Sequence, residues 1–268
     1  MKKAIVWLII LLMALGLAAG AFQAFRGMTG PSESSDISQS ASHTTAGAEK
    51  SEPAYNTRQQ VYANSHPELT EAEVKRDIRL GLDRELYEDS STVSDPNAVD
   101  VFVSKHWQLP EDYVPADLVE VQSVQLRQPA ADAWNELVQV LEGYGISLIA
   151  QTGWISPEDT NSLYEQAVQE YGQERADSVF SKPGFFDSNT GLSVDFGIEG
   201  VQDPAADSRY DQIIQEAAKH GFILRYTAEN EKLSQTAAQP LHLRFVGKDL
   251  ADILGNESVS FDEYYGTH

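Results

Sequence analysis

Lys182–Phe196 reads KPGFFDSNTGLSVDF, and how this stretch folds decides how the rest of the chain is read. It opens on a Pro-Gly turn, runs through a polar loop and a Thr-Gly pair, and ends in a short strand carrying Asp195. That is the layout of a metal-site segment. Seven residues before Asp195, where a histidine would complete it, stands Ser188. The segment belongs either to a working metal site with unusual ligands or to the remains of one.

In "GLSVDFG", Leu192, Val194 and Phe196 alternate with Ser193 and Asp195. In "LHLRFV", Leu241, Leu243 and Phe245 alternate with His242 and Arg244. Period two marks half-buried strands and places Asp195, and likewise His242 with Arg244, on one sheet face. "FILRY" and "ISLIAQTG" supply further strands, and "NAVDVFVSK" reads as another. "HWQLPEDYVPADLVEV" reads as a Pro-punctuated loop. Helices fall between these strands. Thr70 and Glu73 form a capping-box pattern ahead of Val74, Ile78, Leu82 and Leu86. Ala130, Trp134, Leu137, Val138 and Leu141 mark the buried face of a helix from about Pro129 to Gly143. Ser156-Pro157 starts one that runs to about Tyr171, and Gly221 stops one over "SRYDQIIQEAAKHG". The expected class is α+β: a small mixed, largely antiparallel sheet flanked by helices.

Order is expected from near His66, so the folded domain is read as residues 66–268. Before it, residues 27–65 begin Ser-, Gly- and Ala-rich with scarcely a bulky apolar side chain as far as Tyr55. Such a stretch buries too little surface to offset its ordering entropy, and it reads as a flexible stalk. Residues 1–26 begin with Lys2 and Lys3 and then run almost unbroken apolar from Ala4 to Phe22. That length spans a bilayer core, and the flanking lysines place the remainder outside the cell membrane as a single-pass protein. Cleavage of a signal peptide near Ala19-Gly20-Ala21, giving a secreted protein, is the competing reading.

The chain of 268 residues has a net charge of −22. This argues against nucleic acid and against electrostatic adhesion to anionic lipid, since both need clustered Lys and Arg. With no cysteine, disulfides, thiolate zinc sites and Cys nucleophiles are excluded, so any metal must be held by His and carboxylates.

Taken together, these stretches resemble the VanY-type D-alanyl-D-alanine carboxypeptidases, zinc enzymes that trim peptidoglycan stem peptides. The likeness runs colinearly from about Ile78 to Tyr265: "LGLDRELYED", "VFVSKHWQLPEDYVPADLVEV", "TGWIS", "PGFFDSNTGLSVD", "HGFILRY", "QPLHLRFVG" and "SFDEYY". It implies an α+β core of the D-Ala-D-Ala carboxypeptidase/hedgehog-like kind. It also implies a zinc held by His, Asp and a second His, a Glu base, and an Arg that binds and polarises the substrate. Asp195 and His242 fill two ligand positions. Ser188 stands at the first His, Gln239 at the base, Ile155 at the Arg, and Leu241 beside the second His.

A neutral serine hydroxyl is a poor zinc ligand, an amide cannot take a proton from bound water, and isoleucine offers nothing to a carboxylate. Neither flanking residue, Asp187 nor Asn189, is expected to replace the histidine, because neighbours along an extended chain point elsewhere. His220 reads as a helix C-cap. Asp195 and His242 are then a satisfied polar pair, with Arg244 as charge partner; weak metal binding and catalysis by an altered site stay open. The expected function is a non-catalytic, exported carboxypeptidase-like module that binds a peptidoglycan stem peptide or an envelope protein, with Asp195, His242, Arg244 and Trp154 as cleft candidates. No cofactor is expected, or zinc if an altered site still trims stem peptides. A scaffold with a filled cleft is the remaining alternative.

Overall fold

The computed structural model describes residues 56–268. The expected anchor (1–26) and most of the expected stalk lie outside the described residues. Among those that are described, no helix is long and apolar enough to cross a membrane. Helix α1, Thr57–Ser65, falls inside the expected stalk, so ordered structure is already present ahead of His66. The cause is a reciprocal cap: Asn56 accepts from the Gln59 amide, and the Gln59 side chain accepts from the Asn56 amide. Helix α2, Glu71–Leu80, starts on the same device with Thr70 and Glu73. It buries Val74, Ile78 and Leu80.

Two small ladders follow. Strands β1 (Ser91–Thr92) and β2 (Trp107–Gln108) pair in parallel. Strands β3 (Leu118–Val121) and β4 (Val124–Arg127) form an antiparallel hairpin. Both β2 and β3 lie within the stretch expected to be loop. Residues 97–105, expected as a strand, form no ladder beyond a single Ser104–Trp107 bridge. The carbonyls of Val99, Val101 and Val103 are instead taken by arginine side chains. Guanidinium donors satisfy backbone acceptors that a neighbouring strand would otherwise have used.

Helix α3, Gln128–Gly143, lays Ala130, Ala131, Trp134, Leu137 and Leu141 against the main sheet. That sheet is antiparallel throughout, in the order β5-β6-β8-β7, with β5 Leu148–Thr152, β6 Ser193–Ile198, β7 Phe222–Leu224 and β8 His242–Phe245. Its apolar face, with Val194, Phe196, Phe222, Leu243 and Phe245, joins α3 and helix α6 (Tyr210–Lys219) in the principal core. The outer edge of β5 is closed by one side chain: Gln122 donates to the Leu148 carbonyl (3.2 Å) and accepts from the Ala150 amide (2.6 Å). At the end of β5, Gly153 has to be glycine, since an added Cβ would lie 2.5 Å from the Gln125 carbonyl oxygen. The amide of Trp154 donates to that same oxygen.

Helices α4 (Pro157–Tyr171) and α5 (Gln173–Val179) form a second apolar cluster with Ile155, Phe180 and Phe186. The chain ends in α7 (Glu231–Ser234), α8 (Lys248–Glu257) and α9 (Phe261–Thr267), with α9 packed on α2.

Candidate functional site

The polar face of the sheet carries the site. The β6–β8 register sets Asp195 opposite His242 and Ser193 opposite Arg244. The β7–β8 register sets Ile223 opposite Arg244, so Arg225, two residues on, shares the face. One oxygen of Asp195 lies 2.7 Å from His242 Nδ1. The other ring nitrogen, Nε2, lies 3.1 Å from Asp187 Oδ2.

Asp187 opens a single 3-10 turn, Asp187–Thr190, that leads through Gly191 (φ +70°) into β6. Its Oδ1 accepts from both Arg225 Nη1 and Arg244 Nη1. Arg225 also donates to the Val103 carbonyl and approaches Asp262 at 3.4 Å, while Arg244 donates to the Val101 carbonyl at 2.6 Å. Asp262 is held in turn by Asn230 at 3.0 Å.

Burial works against every charge in this group, and pairing overcomes it at the centre. The Asp187 carboxyl has no exposure, yet the two guanidiniums and His242 hold it well below the usual carboxylate range. Burial disfavours the His242 imidazolium, but hydrogen bonds to Asp187 and Asp195 push its pKa up to about 9. Both of its nitrogens therefore donate at neutral pH. Three cations (Arg225, Arg244 and His242) face three carboxylates (Asp187, Asp195 and Asp262), and the cluster is neutral as a whole.

The expected residues meet different fates. Asp195 and His242 do pair. Arg244, expected beside Asp195, pairs with Asp187 instead, because it sits opposite Ser193, one pair further along the ladder. Asp187, expected to point away, faces His242: the chain turns in a 3-10 helix here, so the alternation of an extended segment does not apply. Asn189 behaves as expected. It ties the α4 start to the Pro-Gly turn through Ile155 O (2.8 Å), Thr160 Oγ1 (2.7 Å) and the Gly184 amide (2.9 Å). Ser188 is buried, and its carbonyl accepts from the Ile155 amide. Gln239 donates its side-chain amide to the Val179 carbonyl at 3.0 Å. Ile155 is buried among Leu163, Tyr164, Phe180 and Phe186. Trp154 is half-buried, and its indole N–H has no partner among the described residues. His220 is the C-cap of α6, away from the site.

A catalytic zinc needs three good protein donors and an open position for water. Here the His242 imidazole is engaged at both nitrogens, the Asp195 carboxylate is hydrogen-bonded to it, and Ser188, expected at the third position, offers only a neutral hydroxyl. Among the described residues no cluster of three or more His, Asp and Glu side chains is arranged to hold a metal ion. The residues present do not fit zinc. At the expected base position Gln239 is an amide, and Asp187 is enclosed by cations, so neither stands free as a base. Three members of the cluster escaped the reading of the sequence. Arg225 could have been found from period two in "FILRY"; Asp187 and Asp262 could not, because the direction of the first depends on the turn and the second arrives from α9. A groove of about 880 Å³ between α1 and residues 82–88 is lined by none of these site residues.

Comparison with known proteins agrees with this fold. Residues 123–248 match the family model VanY, D-alanyl-D-alanine carboxypeptidase. The chain is 28% identical over 191 residues to the putative carboxypeptidase YodJ of Bacillus subtilis (strain 168), covering 65% of this chain and 69% of that protein. The solved structure of the LdcB LD-carboxypeptidase, described as revealing the molecular basis of peptidoglycan recognition, superposes with a TM-score of 0.61 at 26% identity, over 69% of this chain and 92% of that one. VanYB in complex with D-alanine-D-alanine superposes at 0.58 and 19% identity, over 63% and 98%, a likeness of fold alone.

Proposed function

Residues 123–248 form a VanY-family domain, and from that premise we propose that the protein is a non-catalytic relative of the D-Ala-D-Ala carboxypeptidases that binds peptidoglycan stem peptide. One observation carries this reading. His242, the surviving histidine, is clamped between Asp195 and Asp187, while the amide of Gln239 at the base position is spent on the Val179 carbonyl. Loss of general-base assistance by itself removes about 10²–10⁴ in rate. No zinc is required for a binding role. The apolar run from Ala4 to Phe22 supports export, with residues 1–26 as a membrane anchor or a cleaved signal and the domain on the outer face of the membrane. The peptidoglycan recognition reported for LdcB supports peptide as the ligand class.

A scaffold with a filled cleft is the second reading. It is favoured by the burial of Ile155, Asp187, Ser188 and His242. An envelope protein as partner belongs with it. The deciding experiment uses the purified protein and a stem pentapeptide ending in D-Ala-D-Ala. The expected result is saturable binding without release of D-alanine, with or without added zinc. D-alanine release that is abolished by a chelator overturns the proposal, and absence of saturable binding establishes the scaffold.

A further inference from the structure

A peptide's terminal carboxylate is usually met by a guanidinium, an ammonium or several convergent N–H donors. The cations of this site cannot serve. Arg225 and Arg244 are at most 1% exposed and are committed to Asp187, Asp262 and the carbonyls of residues 101 and 103. Lys105 is buried against Phe180 O and Ser181 Oγ. Lys182 is exposed, but its ammonium lies over the Tyr87 ring at 4.5 Å. Ile155 belongs to an apolar cluster. The accessible part of the site is of the opposite character: half-buried Trp154, Gln239, Leu241 and Asp195. Asp195 uses one oxygen on His242, and its other oxygen has no protein partner among the described residues.

Resting on the peptide-binding reading above, we infer that this site selects against a free α-carboxylate and takes peptide as a neutral chain, amide-capped or internal, whose N–H groups face Asp195. An incoming carboxylate would meet Asp195 on a domain that is already strongly acidic, with the arginines buried and the exposed Lys182 engaged on the Tyr87 ring. An amide meets the same oxygen as a donor.

The test titrates the protein with one stem pentapeptide in two forms, the free acid and its C-terminal amide, at low and moderate salt. The amide is expected to bind two- to tenfold more tightly, with the gap narrowing as salt rises. Asp195→Asn is expected to abolish the preference while leaving the fold intact. Ile155→Arg, where it folds, is expected to reverse it. Equal binding of the two peptides, a wild-type preference for the free acid, or a preference for the amide that Asp195→Asn leaves unchanged, overturns the inference. Failure of both peptides to bind is a different result: it removes the peptide-binding reading and this inference with it.

Discussion

Asp187 is a carboxylate with no contact with water, and it remains an anion because Arg225, Arg244 and His242 converge on its two oxygens. Removing one member of such a group does more harm than the pair itself is worth, since the partners left behind stay buried and uncompensated. Asp187→Asn keeps the shape and removes the charge, so it strands two guanidiniums. It is expected to cost about 3–5 kcal/mol of stability, measured by urea unfolding. Asp195→Asn, at the half-buried rim, is expected to cost clearly less. Equal effects would mean that Asp187 is not the hub. At the same scale, Gln239 and Ile155 have found structural roles, one as a tether to α5 and the other as core.

Between elements, the cluster is a joint. Residues 99–103 offer carbonyls to arginines from β8 and from the residue after β7, and α9 contributes Asp262. A second joint lies beside it: Lys105 reaches across to the Phe180 carbonyl and to Ser181 Oγ at 2.9 Å, just past α5, with the Tyr87 ring 5.9 Å away. Burial drives the Lys105 pKa down to about 7; Asp177 pulls it upward and Arg225 adds to the lowering. An unfolded lysine titrates near about 10.4. Between about pH 7 and 10 the unfolded chain therefore holds a proton that the folded chain has lost, so this residue's contribution to stability rises with pH; below about pH 7 the full cost of the buried charge is present. The stability difference between wild type and Lys105→Met is expected to move in favour of wild type by up to about 1.4 kcal/mol per pH unit over that window. Urea unfolding of both proteins from pH 6 to 9.5 checks it, and a flat difference refutes it.

On the whole molecule, residues 1–55 carry four basic and four acidic side chains, so the entire net charge of −22 rests on residues 56–268. Self-repulsion on that scale destabilises a compact state, and salt screens it, while the buried cluster is screened far less. The melting temperature is expected to rise by several degrees between roughly 0.02 and 0.5 M sodium chloride, a range that takes the Debye length from well above about 10 Å to well below it. A fall in thermal scans over that range would show that exposed ion pairs outweigh repulsion. The same charge keeps polyanions away and suits a neutral or cationic ligand.

Much of the fold was legible because it follows from local rules. Caps at Thr70 and Ser156 started helices where the pattern placed them, the face carrying Trp134, Leu137 and Leu141 is buried, and period two set Asp195 and His242 on one sheet face. What the linear chain left open were directions and partners. Whether Asp187 points inward depends on a 3-10 turn. Which carboxylate Arg244 takes depends on strand register. Residues 97–105, strand-like by composition, form no ladder because distant arginines claim their carbonyls. Residue type and spacing determine which groups are available and which element each sits on. Only packing brings Arg244 to a carbonyl 145 residues away in the chain and to Asp187, 57 residues away, and in a low-dielectric interior the mutual pairing of charges, not their identity, decides whether a site can accept an ion or has already neutralised itself.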